Sequence, residues 1–137
     1  MDRRNEQIAE NIYRNRVITI HHAAVDMTGD IISGALLDRI VELLSVSKPT
    51  HTLVYKDGYT WLVMGRAEWE KEIRISAKQF DRSAKLLMEL NLIAIERWKY
   101  DGAPMLHIRV NYDEYNKQLQ RWKERALMDL QMNGGVY

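Results

Sequence analysis

The sequence predicts an α+β fold, mainly α: a winged helix-turn-helix with a β-hairpin wing and additional N- and C-terminal helices. Three observations carry that expectation. A short amphipathic pattern from Ala67 to Ile73 is followed, across Arg74 and Ile75, by a second helical pattern opened by Ser76. Two strand-like runs then flank Asp101, Gly102, Ala103 and Pro104, so that a hairpin follows the second helix directly. Upstream stand a strongly apolar helix and a first hairpin, the parts that would supply the core of such a unit.

Taken in order, residues 2–15 are polar with Ile8, Ile12 and Tyr13 at roughly helical spacing, and the β-branched run from Val17 to His22 reads as a strand. These residues form an N-terminal arm over 1–29. Thr28, Gly29 and Asp30 offer N-caps for a helix in which Ile31, Ile32, Ala35, Leu36, Leu37, Ile40, Val41, Leu43 and Leu44 cover so much of the circumference that it must be buried. Ser45, Ser47 and Pro49 end it, because Pro49 restricts the residue before it. From His51 to Met64, two β-rich runs flank Lys56, Asp57, Gly58 and Tyr59. An Asp-Gly pair in that setting signals a two-residue hairpin whose central residues both need positive φ.

The second helix of the central pair carries the candidate site. Behind the N-cap Ser76, the spacing places Ala77, Phe80, Ala84, Leu87 and Asn91 on one face and Lys78, Arg82, Lys85 and Glu89 on the opposite one. Asn91 closes the pattern as a residue that tolerates the left-handed conformation. The wing runs from Leu92 to Tyr100 and returns from Met105 to Tyr112, which bounds the central domain at residues 30–112. Trp98 falls on the side of the wing away from Ile93 and Ile95, where it packs on another element, whereas Trp61 and Trp69 read as core residues.

A helix of this kind fits the major groove of double-stranded DNA, with its first residues near base edges and its N-terminal amides near phosphate. Ser76, Lys78, Gln79 and Arg82 are placed for that. Arg and Lys suit guanine acceptors and Gln suits adenine, while Lys85, one turn on, suits phosphate. Arg97, Lys99 and Tyr100 give the wing tip a composition suited to backbone or minor-groove contact. With 20 Lys plus Arg against 19 Asp plus Glu, the formal charge is only +1, so affinity for nucleic acid must come from such a local patch.

Composition restricts the remaining classes. At 137 residues there is room for one domain and a helical appendage. The chain has no cysteine, no long apolar run and no basic-then-apolar start, which points to a cytoplasmic protein without disulfides or membrane insertion. No Gly-rich phosphate loop, nucleophile elbow or zincin motif is present, so a binding protein without a cofactor is expected rather than an enzyme. His21 and His22 do not make a metal site, since adjacent strand residues point to opposite faces.

The C-terminal part, 113–137, reads as a helix from Asp113 to Gln131, then Gly134, Gly135 and a loose end. Tyr115, Leu119, Trp122 and Ala126 form a stripe that must be covered. The cover is either the chain's own Ile8, Ile12 and Tyr13 or the seam of a homodimer reading repeated half-sites.

The run from Gly65 to Tyr112, including Ala67-Glu-Trp69-Glu, Ile75-Ser76-Ala-Lys-Gln-Phe80, Leu86-Leu-Met-Glu-Leu90-Asn-Leu-Ile93 and Ile108-Arg-Val-Asn111-Tyr, resembles the N-terminal winged-helix domain of replication initiators. These replisome organisers, or DnaD-like proteins, belong to phages, plasmids and other mobile elements of Gram-positive bacteria. The resemblance extends more weakly back to Asp30 through the apolar helix and the Lys56-Asp-Gly58 hairpin leading to Trp61. It implies binding to repeated origin sequences and recruitment of replisome proteins such as a helicase or helicase loader. Where the family usually has Gly, this chain has Arg74 in the central turn and Asn91 before the wing. Asn91 performs the same backbone task; Arg74 implies a turn of another form or one that tolerates a side chain. Two other functions fit the same residues: a small transcriptional regulator, or a protein-interaction module that has lost DNA binding and uses Trp98, Tyr100 and the C-terminal stripe. In that last case the cations of the second helix are an ordinary solvated face.

Overall fold

Asp2, Asp30 and Ser76 each open a helix by accepting from one of its free N–H groups, and the computed structural model, which describes residues 1–134, is α+β and mainly helical. Asp2 caps α1 (Arg3–Asn15), accepting from the Asn5 N–H at 2.8 Å. No residue of α1 is buried: Ile8 and Ile12 are about half exposed and Tyr13 more so. They do not cover the C-terminal stripe.

The strand expected from Val17 to His22 is absent. Residues 16–21 are irregular and His22 begins α2 (His22–Thr28). A β-branched run becomes a strand only where its backbone groups find a sheet edge. Here Ile20 docks against the core, and the His21 N–H donates to the buried carboxylate of Asp38 at 2.5 Å, which fixes the entry to α2. His21 and His22 are thus the N-cap and first residue of a helix rather than alternating strand residues.

Gly29 (φ 72°) ends α2, and Asp30 opens α3 (Ile31–Ser45) by accepting from the Ser33 N–H at 3.1 Å. Leu36, Leu37 and Ile40 on α3 have no exposed surface. Such burial, worth on the order of 2 kcal/mol per large aliphatic side chain, outweighs the weak amphipathicity of the helix. Gly34 lets α2 approach: a Cβ there would meet the backbone of Val25 and Ala24 at 3.0 and 3.1 Å.

The strands β1 (Leu53–Lys56), β2 (Tyr59–Val63), β3 (Ile93–Tyr100) and β4 (Ala103–Val110) form one antiparallel sheet in the order β1-β2-β4-β3. Both hairpins turn on an Asp-Gly pair with positive φ at each residue, 55° and 81° at Asp57 and Gly58, and 51° and 79° at Asp101 and Gly102. The second turn is therefore tighter than the four residues expected, and Ala103 and Pro104 already belong to β4. Pro104 pairs with Lys99 next to the closing Tyr100 and Ala103 pair. Strand pairs alternate, so the ring sits where no ladder N–H is required. Register sets Leu62 beside Ile108 and Ile108 beside Ile95 on the face toward the helices. Alternation sends Trp61, Trp98 and His107 to the other face.

Between the hairpins lie α4 (Glu68–Ile73) and α5 (Ala77–Glu89), and after β4 comes α6 (Tyr112–Met132). Tyr112, expected to end the wing, instead opens α6. Trp69 of α4 is fully buried and stacks on Phe80 of α5, centroids 5.8 Å apart. Glu72, at the end of α4, accepts from Arg39 of α3 at 2.6 Å and contacts the His51 ring at 3.0 Å. Burial opposes its charge, but the bonds to Arg39 and His51 outweigh burial and hold the carboxyl below its ordinary value near 4.5. Among the described residues no helix is long and apolar enough to cross a membrane. The loose end expected at 135–137 lies outside the described residues.

Two outcomes follow from these contacts. Gly34→Val should destabilise the fold by about 1–3 kcal/mol in urea denaturation, since the obstructing atoms are backbone and cannot swing aside. Because the Glu72 carboxyl is depressed in the folded state, its contribution is complete above about pH 4.5 and is lost as pH falls through the lower folded value. The stability of Glu72→Gln should accordingly fall less steeply below pH 4.5 than that of the parent; equal slopes would remove Glu72 from the acid response.

Candidate nucleic-acid interface

The turn from α4 to α5 keeps the left-handed geometry of a Gly turn without the Gly. Arg74 has φ 61° and ψ 34°, and its N–H donates to the Glu70 carbonyl at 3.0 Å. Ile75 is buried behind it. Ser76 then opens α5 with a full capping box: its Oγ accepts from the Gln79 N–H at 3.1 Å, and Gln79 Oε1 accepts from the Ser76 N–H at 2.8 Å. Gln79 therefore has a structural task at the very place where base contact was expected of it.

The inward face of α5 consists of Phe80, Ser83, Ala84 and Leu87. Ser33 Oγ, whose own proton goes to Asp30, accepts from the Ser83 hydroxyl 3.0 Å away inside the protein, tying α5 to α3. Ala77 and Asn91, expected on this face, are exposed. Ala77 lies in the first turn, ahead of the packed stretch. Asn91 lies beyond the helix with φ 60°, turning the chain into β3.

On the outward face Lys78, Arg82 and Lys85 are all exposed and fall within an arc of roughly 60°. None of the three has a carboxylate within salt-bridge distance among the described residues. Asp81, which flanks them, is bound by the Arg66 guanidinium at 2.8 Å and so subtracts little from the patch. Asp30 is nearer in effect. Its carboxyl is held below the usual range chiefly by the Ser33 hydroxyl, with the Arg82 charge adding to that, and the two residues share a shallow cleft with Lys85 and Glu89.

The residues expected in a wing divide. Arg97 and Lys99 are exposed on the sheet face that leads toward the helices, while Tyr100, 39% exposed, belongs to the opposite face with Trp98. Only the hairpin tip brings them together. Beyond Leu106 the β3 and β4 hairpin runs past the end of β2, which meets β4 only at His107 and Ile108.

The stripe on α6 is occupied within the chain. Tyr115, Leu119, Trp122 and Ala126 are partly buried, α6 packs on α2, and Trp122 Nε1 donates to Asp26 of α2 at 2.7 Å. An apolar groove of about 470 Å³ remains beside them, between Ala23 and Ala24 on one side and Tyr115, Leu119 and Trp122 on the other. Burial raises the Tyr115 hydroxyl above its ordinary value, with Asp38 adding to it.

Residue periodicity missed a second cationic surface. Lys56 and Arg109 stand over aromatic rings on the sheet face away from the helices, Lys56 Nζ 3.8 Å from the Trp98 centroid and Arg109 Cζ 4.0 Å from that of Tyr59. The signal was present in the hairpin register, which sets Lys56 across from Tyr59 with Trp61 two residues on. Among the described residues no group of three or more His, Asp or Glu side chains is placed to hold a metal ion.

Comparison with family models, with characterised proteins and with solved structures finds no match to this chain.

Arg74 supplies the prediction specific to this turn. A non-Gly residue at this φ carries about 1 kcal/mol of backbone strain, partly offset by the greater freedom of Gly in the unfolded chain. Arg74→Gly should raise the urea midpoint slightly, by about 0.5 kcal/mol in stability. A loss of stability would mean that the Arg74 side chain contributes more than its backbone costs.

Proposed function

We propose that the chain is a DNA-binding winged helix-turn-helix protein acting in replication initiation of a phage or other mobile element. The observation that carries this reading is the stripe of Lys78, Arg82 and Lys85 on α5, exposed and free of carboxylate partners among the described residues. In this reading α3, α4 and α5 are the three helices of the unit, α5 enters the major groove, and the β3 and β4 hairpin is the wing. Lys78 and Arg82 meet guanine acceptors near the start of α5, Lys85 meets phosphate, and Arg97, Lys99 and Tyr100 follow the backbone beside the wing. Ser76 and Gln79 serve by keeping the first turn of α5 intact.

The assignment to replication rests on the resemblance of residues 65–112 to the winged-helix domain of replisome organisers; a helicase or helicase loader is the corresponding partner. A homodimer seam on α6 would have to share the stripe with α2, which packs on it and leaves Tyr115, Leu119, Trp122 and Ala126 partly exposed. A protein-interaction role is favoured by a different observation: α1 presents Ile8, Ile12 and Tyr13 largely to solvent, a surface suited to a replisome protein rather than to DNA.

Fluorescence anisotropy with labelled duplex DNA at two salt concentrations tests the main reading. Binding should weaken with salt, Lys78→Ala/Arg82→Ala should reduce affinity at least tenfold, and Lys85→Ala should flatten the plot of log affinity against log salt by about 1. Duplex binding that is unchanged in a folded double variant would exclude α5 as the reading helix.

A further inference from the structure

The helices α3 and α5 pack on one face of the sheet, and a solvent-facing opposite face would ordinarily alternate into polar side chains. This one does not. It carries Tyr59, Trp61, Trp98 and His107 with Lys56 and Arg109 laid over them. Trp61 and Trp98 meet at 4.6 Å between centroids, Trp98 and His107 at 4.8 Å, and Tyr59 meets Trp61 edge-on at 6.3 Å. Trp61 is anchored by its Nε1 donating to the Lys56 carbonyl at 3.0 Å, and both Trp61 and His107 are only 2% exposed. They form the floor. Tyr59 is open to solvent, and Trp98 and Arg109 are partly so.

The cations are the informative part. Like most Lys and Arg of this chain, neither Lys56 nor Arg109 has a carboxylate within salt-bridge distance among the described residues; what sets the two apart is that each lies over an aromatic ring. A ring quadrupole fixes such a cation in place without neutralising it. The face therefore offers positive charge at set positions beside flat rings, and Glu96 is the one carboxylate that the strands β1 to β4 direct to this side. A shallow cleft of about 240 Å³ between Tyr59, Arg109 and Tyr112 continues the surface past the Asp57-Gly58 turn.

We propose that this sheet face binds an unpaired nucleic-acid strand, with a base stacking on the side of Tyr59 that Arg109 leaves free and with phosphates meeting Lys56 and Arg109, held over Trp98 and Tyr59. Ring faces next to unneutralised cations complement a strand whose bases are unstacked; in a duplex the base faces are hidden within the stack. An acidic peptide would use the charges and leave the rings idle. The surface is separate from α5, so the inference stands or falls independently of the duplex reading.

Anisotropy with fluorescein-labelled dT20 and rU20, alongside a duplex, provides the test. Tyr59→Ala and Arg109→Gln should each weaken binding of the single strands about tenfold, the scale of one lost stack or one lost aromatic-held cation, while changing duplex affinity less than twofold. Lys78→Ala/Arg82→Ala should leave dT20 binding unchanged. Since Trp98→Ala opens the packed floor, Trp98→Phe serves in its place, keeping a ring and losing severalfold. Tighter dT20 or tighter rU20 would each support the proposal and identify the strand as DNA or RNA. Absence of single-strand binding by folded protein, displacement of dT20 by polyglutamate at equal charge, or insensitivity to both Tyr59→Ala and Arg109→Gln would overturn it.

Discussion

Everything in this fold leans on α3. It is packed by α2 along one side, by α5 along another and by β2 and β4 on a third, which buries its middle from Ser33 to Asp38 with Ile40 and Leu43 and leaves Ile31, Glu42 and Ser45 exposed. That constraint explains a helix with apolar residues nearly all round, a Gly where α2 crosses, and a Ser where α5 crosses. The Ser33 and Ser83 hydroxyls satisfy each other in the interior, and Asp30 accepts from the Ser33 hydroxyl as well as from its N–H. An unmatched hydroxyl at that depth would cost about 1–3 kcal/mol. The angle at which α5 is presented to solvent is thus set from its buried side, by Ser83, Phe80 and Leu87 against α3, and only secondarily by the turn at Arg74.

Local chemistry made much of this legible. Capping at Ser76 and Asp30 and the Asp57-Gly58 hairpin each follow from interactions within a few residues, which a sequence carries explicitly, and the apolar run of α3 marks a buried helix although Ile31, expected in its buried stripe, is 61% exposed. What could not be read depends on partners distant in the chain. Val17 to Ile20 has the composition of a strand, but no sheet edge takes it; Asp38, seventeen residues past His21, decides instead that a helix starts there. Likewise the stripe on α6 announces only that something covers it. That the cover is α2, with Asp26 accepting from Trp122, is a fact of tertiary packing across nearly the whole chain.

The candidate surfaces show the same division. Lys78, Arg82 and Lys85 share a face by helical spacing alone, but whether their charges are free depended on where Asp81 and Asp30 turned. Arg66 removes Asp81 from consideration; Asp30 stays close to Arg82. The aromatic face was half legible. Alternation separates Trp98 from Ile93 and Ile95, yet only the order β1-β2-β4-β3 sets Trp61, His107 and Trp98 side by side, because β4 is inserted between strands that the chain makes at different times.

A near-neutral chain can still present strong local fields, and here the distribution of ion pairs does it. Arg14, Arg39 and Arg66 are held by nearby carboxylates, and the Arg66 pair takes Asp81 out of the α5 patch. Among the other cations, Lys78, Arg82 and Lys85 share one face of α5, and Lys56 and Arg109 lie over rings on the outer sheet face. At physiological ionic strength exposed charges act over roughly 8 Å, so a ligand near either surface feels the local cluster rather than the net charge. On the functions proposed above, a helix suits a groove, whereas rings beside cations suit bases already out of their stack.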